Sequence, residues 1–346
     1  MSNPGITREQ IETLLKRATG FSGHDPVPLA GGASDRWYVR ISGVLCERFQ
    51  RSSLIVTGVP VSLWSILDSF LANQKYLERQ GLPVPKVYDQ WPEYGIALIE
   101  DFGDTRLVDA IKASPQRRKT LDDHAIDLLV RLHSLNPDPT LSYPARELAF
   151  DVEKYQYEFG FHVDTWLIAH YFAATPTAIE RGTLDNAYRW IRETLASEPH
   201  VFTHRDYQST NLMVLDDDSL GIIDFQDARH GLRQYDLASF IWDSYVQKSD
   251  ERRNRLTDVY RSSARLYNDS ERFDLLLRVA AIQRKLHDAG AFIYTAAHRG
   301  KTDYLAWVPD AVDIATSLMH EIDSCRDAGT ILADWMNHKR RQAPAD

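Results

Sequence analysis

The chain has 346 residues, 43% of them hydrophobic, and 40 Lys plus Arg against 49 Asp plus Glu give a formal net charge of −9. That length suits about two domains or lobes with a sizeable core, and the acidic balance argues against a protein that coats nucleic acid or an anionic membrane, since both ask for a positive surface. Two cysteines, Cys46 and Cys325, are too few and too far apart for a disulfide framework or a Cys-rich zinc site.

Free thiols in a reducing compartment are therefore expected. The opening Met1-Ser2-Asn3-Pro4-Gly5 leads into a polar, amphipathic stretch rather than a signal peptide, and no window reaches the roughly 18 consecutive apolar residues of a bilayer span. The expectation is a cytoplasmic protein without membrane or nucleic-acid partners, and a monomer.

From Pro26 to Asp101 the sequence reads as short strands with one helix inserted. Residues 36–41 and 44–49 alternate around Ser42-Gly43, a hairpin signal. Ser62 is placed to cap a helix carrying Leu63, Leu67, Phe70, Leu71 and Leu77 on one side, and Gly81 to end it. Beyond Phe102-Gly103 the period lengthens to that of helices over 125–135, 155–170, 184–195, 234–247, 252–267 and 275–298, with one hairpin between them. The basic run His338-Lys339-Arg340-Arg341 reads as a solvated end. The expected class is α+β, with a β-rich lobe over 1–101 and a helical lobe over 102–346.

The interrupting hairpin carries the chemistry. His204-Arg205-Asp206 is followed five residues later by Asn211, then by Leu212-Met213-Val214-Leu215, a polar turn over 216–219, and Leu220-Gly221-Ile222-Ile223-Asp224. Pairing Leu215 with Leu220 places Asn211 opposite Asp224, as cross-strand neighbours with Cβ atoms about 5 Å apart. An amide oxygen and a carboxylate so placed suit Mg²⁺ held jointly with substrate phosphates. Asp206, just ahead, is positioned to accept a proton from an attacking hydroxyl, so the set has the parts of phosphoryl transfer. Near the front, the backbone around Gly31 and Gly32 and the Ser34 hydroxyl can approach ATP phosphates, although Gly-Gly is also an ordinary turn. No Gly-x-x-x-x-Gly-Lys-Ser/Thr element occurs, which excludes the P-loop class.

His204-x-Asp206-x-x-x-x-Asn211, Ile223-Asp224-Phe225-Gln226-Asp227 and Tyr235-Asp236-Leu237-Ala238, in this order, resemble the catalytic core of the aminoglycoside-phosphotransferase-like kinases, relatives of protein kinases that phosphorylate small molecules. The resemblance implies a two-lobed protein-kinase-like fold over nearly the whole chain, ATP and Mg²⁺ as cofactors, Asp206 as catalytic base, and Asn211 and Asp224 as metal ligands. It also implies that Glu100 and Asp101 lie at an interlobe hinge whose backbone meets adenine. Ala33-Ser34-Asp35-Arg36, Asp224-Phe225-Gln226-Asp227-Ala228 and Gln283-Arg284-Lys285 are similar to the anomeric kinases of cell-wall recycling, which phosphorylate C1 of N-acetylmuramate and N-acetylglucosamine. That closer resemblance implies a sugar acceptor, with Gln226 and Asp227 on its hydroxyls and Arg284 on the lactyl carboxylate of N-acetylmuramate.

One departure stands out. Kinase-like enzymes carry a phosphate-holding lysine on their third strand, yet residues 44–49, read as that strand, contain none. Arg48 or Arg40 is the expected substitute. A different acceptor, such as an aminoglycoside, another amino sugar or a choline-like alcohol, and a nucleotide-binding pseudokinase scaffold are the alternative readings. His204, Asp236 and His133 are read as structural, and Asp227 is read equally as ligand and as loop support.

Overall fold

In the computed structural model, which describes residues 8–20, 26–29, 36–43, 47–266 and 269–342, antiparallel pairing organises the front of the chain. Strands β1 (Val27–Pro28), β2 (Trp37–Ile41), β3 (Leu54–Gly58), β4 (Val87–Trp91) and β5 (Ile96–Glu100) form one sheet in the order β1-β2-β3-β5-β4. Trp37, Val39 and Ile41 alternate inward on β2, while β3, in the middle, is buried at every position, as a strand covered on both faces requires. β2 pairs antiparallel with β1 and β3; of the stretch 44–49 expected to form its hairpin partner, Glu47 and Arg48 lie in a helical turn and 44–46 fall outside the described residues. Helix α1 (Arg8–Thr19) packs Ile11 and Leu15 on the face formed by Trp37, Val39, Ile41, Leu54, Val56, Ile96 and Leu98.

Helix α2 (Trp64–Arg79) starts from a 3₁₀ turn without a side-chain cap, so the Ser62 cap is not made. It ends as expected, with Gly81 at φ 74° and the Leu82 N–H donating to Leu77 O at 3.0 Å. Its buried stripe contains Asn73 and Gln74 as well as Leu67, Phe70, Leu71, Tyr76 and Leu77.

The remaining strands are short. β6 (His200–Thr203) pairs with β9 (Arg229–Leu232), and β7 (Leu212–Val214) with β8 (Leu220–Ile222). The further helices of seven residues or more are α3 (Leu107–Ala113), α4 (Arg118–His133), α5 (Val152–Glu158) continuing as a π-helical run over Phe159–Tyr171, α6 (Ala178–Ala196), α7 (Arg233–Ile241), α8 (Asp250–Ser263), α9 (Ser270–Arg299), α10 (Val308–His320) and α11 (Arg326–Gln342). A Cβ on Gly290 of α9 would lie 2.1 Å from His162 O, so only glycine lets the π-helical run approach that closely. The helix expected over 234–247 stops at Ile241, and α10 and α11 had no counterpart in the sequence reading.

By packing, residues 1–124, 136–146 and 210–228 form one compact unit, and 125–135, 147–209 and 229–346 a second. These boundaries cut across the sequence-based division after Asp101. The β7–β8 hairpin is built onto the first unit: Ile222 N–H donates to Pro83 O and Val214 N–H to Thr105 O, both at 2.8 Å, and the Phe102 ring lies where a Cβ on Gly221 would sit. Among the described residues no helix is long and apolar enough to cross a membrane, and Cys325 is a buried free thiol. Cys46 lies outside them.

Candidate active site

The loop that carries Asp206 is held from several sides within the second unit. It follows β6, and the Thr203 hydroxyl donates to Arg229 O at 2.8 Å. Asp236, fully buried on α7, accepts the backbone N–H groups of His204 (2.6 Å) and Arg205 (2.9 Å) and lies 3.3 Å from His133 Nε2. Burial pushes the His133 imidazole below its usual range although Asp236 pulls the other way, so at neutral pH it is uncharged; its Nδ1 lies 2.7 Å from the Tyr260 hydroxyl. Asp243 accepts the Ser209 N–H at 2.8 Å. His204 Nδ1 accepts the Asp206 N–H at 3.2 Å, and Arg205 takes φ 79°, a left-handed conformation that a non-glycine residue holds only where its surroundings over-determine it.

The Asp206 side chain is 30% exposed and meets the Arg284 guanidinium at 2.8 Å. Burial works against its ionisation, but Arg284 first, then Arg205, His287 and His204, outweigh it and hold the carboxyl below the usual range. A group so held is a carboxylate at neutral pH, and a carboxylate is a hydrogen-bond acceptor of the kind general-base chemistry uses.

Arg284 was expected to face an acceptor carboxylate. It is only 3% exposed and committed to the protein: Nη2 to Asp206, Nε 3.0 Å from Asp288, and Nη1 donating to Arg205 O at 3.0 Å. Lys285, equally buried, pairs with Asp288 at 2.7 Å and donates to the Ser244 hydroxyl at 2.7 Å. Asp206, Arg284, Lys285 and Asp288 thus form a buried cluster with two charges of each sign, the composition that makes buried charge tolerable. Beside it Glu158 accepts from Gln283 (2.8 Å) and Arg205 (3.2 Å) and pairs with Lys154 (3.1 Å). The helical spacing of α9 could have shown Arg284 and Asp288 on one face, four residues apart.

In the first unit, the β7–β8 register pairs Leu212 with Ile222, Met213 with Gly221 and Val214 with Leu220, one residue away from the expected pairing. The turn is the cause. Leu215 N–H donates to Ser219 O and Asp218 N–H to Leu215 O, with Asp218 at φ 63°, so only three residues make the loop and Ser219 joins the strand side. Asn211 consequently stands across from Ile223, whose N–H it accepts at 3.1 Å, and Asp224 leaves the strand at φ 67°. Both supply oxygen donors of the type a hard divalent cation takes, and the Asp224 side chain is 41% exposed.

Three residues outside the motif fix the segment after Asp224. Arg36, 4% exposed, donates from Nη2 to Asp224 Oδ1 at 2.7 Å. Phe70 of α2 stacks on Phe225 with ring centroids 4.9 Å apart. Asn73, fully buried on the same helix, donates to Phe225 O (3.1 Å) and Gln226 O (3.3 Å) and accepts the Ala145 N–H (3.3 Å). Sequence reasoning passed over Asn73; an amide in the apolar stripe of α2 was its signal. Gln226 Nε2 donates to Asp224 Oδ1 (3.1 Å) and Asp227 Oδ2 (3.4 Å), while its Oε1 is buried without a hydrogen-bond partner among the described residues. Asp227 is exposed.

At the front, Asp101 accepts from Arg40 (2.6 and 3.0 Å), the Ser53 hydroxyl (2.6 Å) and the Gly103 N–H (2.9 Å). Burial opposes its ionisation, but these bonds prevail and lower its pKa. Glu100 accepts from Arg51 at 3.1 Å, and its own N–H is used by Lys86 O. Both side chains therefore serve the protein. Arg40, an expected lysine substitute, also pairs with Asp104 at 2.8 Å, and Arg48, the other, is exposed with its guanidinium 5.5 Å above the Phe49 ring. Gly31, Gly32 and Ser34 lie outside the described residues.

The chain is 26% identical over 271 residues to the N-acetylmuramate/N-acetylglucosamine kinase of Pseudomonas putida, covering 77% of each chain, and 27% identical over 329 residues to the enzyme of that name from Caulobacter vibrioides, covering 87% of this chain and 90% of the other. Its fold superimposes on an ethanolamine kinase of Plasmodium vivax with a TM-score of 0.65 at 12% identity, over 91% of both chains. Since the pattern of the phosphotransferase enzyme family, APH, matches residues 27–276, the chain is a phosphotransferase of that family, with its two-lobed, protein-kinase-like α+β fold.

Proposed function

We propose that the protein transfers the γ-phosphoryl group of ATP to the anomeric hydroxyl of an N-acetylated amino sugar, N-acetylmuramate or N-acetylglucosamine, in the cytoplasmic recycling of peptidoglycan. The observation that carries the reading is the Asp206 carboxyl, paired with Arg284 at 2.8 Å in a loop tied to Asp236. The names of the P. putida and C. vibrioides relatives supply the acceptor.

In this reading Asp206 orients the C1 hydroxyl and accepts its proton. Asn211 and Asp224 would hold Mg²⁺, which would supply charge neutralisation at the phosphates. The backbone near Asp101 receives adenine, and Gly31, Gly32 and Ser34 cover the phosphates. Gln226 offers a buried, unused carbonyl oxygen to a sugar hydroxyl, with Asp227 beside it.

A panel of amino sugars, aminoglycosides and choline-like alcohols incubated with ATP and Mg²⁺, followed by phosphorus NMR of the product, tests it. A glycosyl 1-phosphate is the expected product. A phosphate at C3 or C6, or turnover confined to an aminoglycoside or choline-like alcohol, would overturn the acceptor assignment.

A further inference from the structure

The missing lysine is a chemical gap. Holding a nucleoside triphosphate for transfer calls for a fixed cation beside its phosphates, and the third strand of the sheet, β3, reads Leu54-Ile55-Val56-Thr57-Gly58. Arg40 is engaged by Asp101 and Asp104, and Arg48 stands in solvent.

Arg36 has what both lack. It directly follows the glycine segment at the entry to β2 and is 4% exposed. Its guanidinium lies 5.6 Å from the centroid of the Tyr38 ring and 5.7 Å from that of Phe70, contacts that suit a planar delocalised cation and fix its orientation. Phe70 in turn stacks on Phe225, next to the carboxylate that Arg36 touches. The cation is thus aimed at Asp224, the group assigned to the metal. If Asp224 takes a divalent ion, the guanidinium beside it would be placed to meet phosphates held there, and its fork matches phosphate oxygens two at a time.

We propose that Arg36 is the cation that holds the nucleotide's phosphates, resting on Asp224 until metal and nucleotide arrive. The inference rests on the kinase reading above and adds a residue to it.

Calorimetric titration of adenosine, ADP and MgADP into the full-length parent and into Arg36→Met is the test, with no turnover required. The variant is expected to bind MgADP roughly 10- to 100-fold more weakly, the loss of hydrogen bonds between charged groups, and to bind adenosine as the parent does. If Arg36→Met does not fold, Arg36→Lys keeps the charge without the fork and is expected to lose a smaller share of the same MgADP affinity. Unchanged MgADP affinity in a folded Arg36→Met, or in Arg36→Lys where it stands in, would overturn the assignment of Arg36 alone. A parent protein that binds neither ADP nor MgADP would instead overturn the kinase reading.

Discussion

Replacing Arg284 by methionine separates two roles for that residue, one as a contact to the acceptor and one as the group that keeps Asp206 charged. The substitution retains length and apolar bulk but leaves Asp206 and Asp288 without the cation they share. Two unit charges about 4 Å apart interact by about 4 kcal/mol at an effective dielectric of about 20. One pKa unit corresponds to about 1.4 kcal/mol, so even after the burial penalty is set against it the acidic limb of the kcat/KM profile should move up by about one pH unit or more.

Stability responds with the same sign. Asp206 and Asp288 are both held below the usual carboxylate range. Their contribution to folding is therefore present above the unfolded-state carboxylate pKa and is lost as pH falls through the folded values. Breaking a buried pair by removing one partner costs about 3–5 kcal/mol, so the gap in unfolding free energy between parent and variant should be widest near neutral pH and narrow in acid. Initial rates on N-acetylmuramate and N-acetylglucosamine across pH, with urea unfolding at matched pH, measure both effects. Equal losses on the two sugars with a displaced acidic limb support the positioning role. An undisplaced limb, with loss confined to N-acetylmuramate, would refute it and make Arg284 a contact to the lactyl carboxylate.

Asp206→Asn should lower turnover by roughly 10²-fold or more while the chain still folds and binds nucleotide, with a loss of stability smaller than that of Arg284→Met because Arg284 keeps Asp288; near-normal turnover would remove Asp206 from the mechanism. Asp224→Ala should abolish the Mg²⁺ dependence of nucleotide binding, measured by titrating ADP with and without metal, and a parent-like metal response would move the metal site elsewhere. Asn73→Leu should destabilise the fold by about 1–3 kcal/mol in urea unfolding, because two carbonyls and one amide N–H lose their partner.

Residue types and spacing made the chemistry legible before the geometry. Asp206, Asn211 and Asp224 stand out in the sequence because phosphoryl transfer uses a base and oxygen ligands, and the helical period was read for most of the long helices, although α10 and α11, of 13 and 17 residues, escaped it. What escaped depended on choices that sequence leaves nearly balanced. An aspartate at position 218 accepts a left-handed conformation almost as asparagine does, so a three-residue turn competes with a four-residue one, and that single residue moves Asn211 from Asp224 to Ile223. The run 44–49 was likewise read as the hairpin partner of 36–41, whereas β2 pairs with Leu54–Gly58, a stretch buried at every position and without the charges of Glu47 and Arg48. Arg36 was quoted for its resemblance and not for its charge, because nothing local distinguishes it from Arg40 or Arg48. Its distinction is long-range: it pairs with a carboxylate 188 residues away and stacks on a helix reached only after two more strands. A buried cation is recognised by the partners that make its burial tolerable, and when those partners come from distant parts of the chain, the fold must be known before the charge can be read.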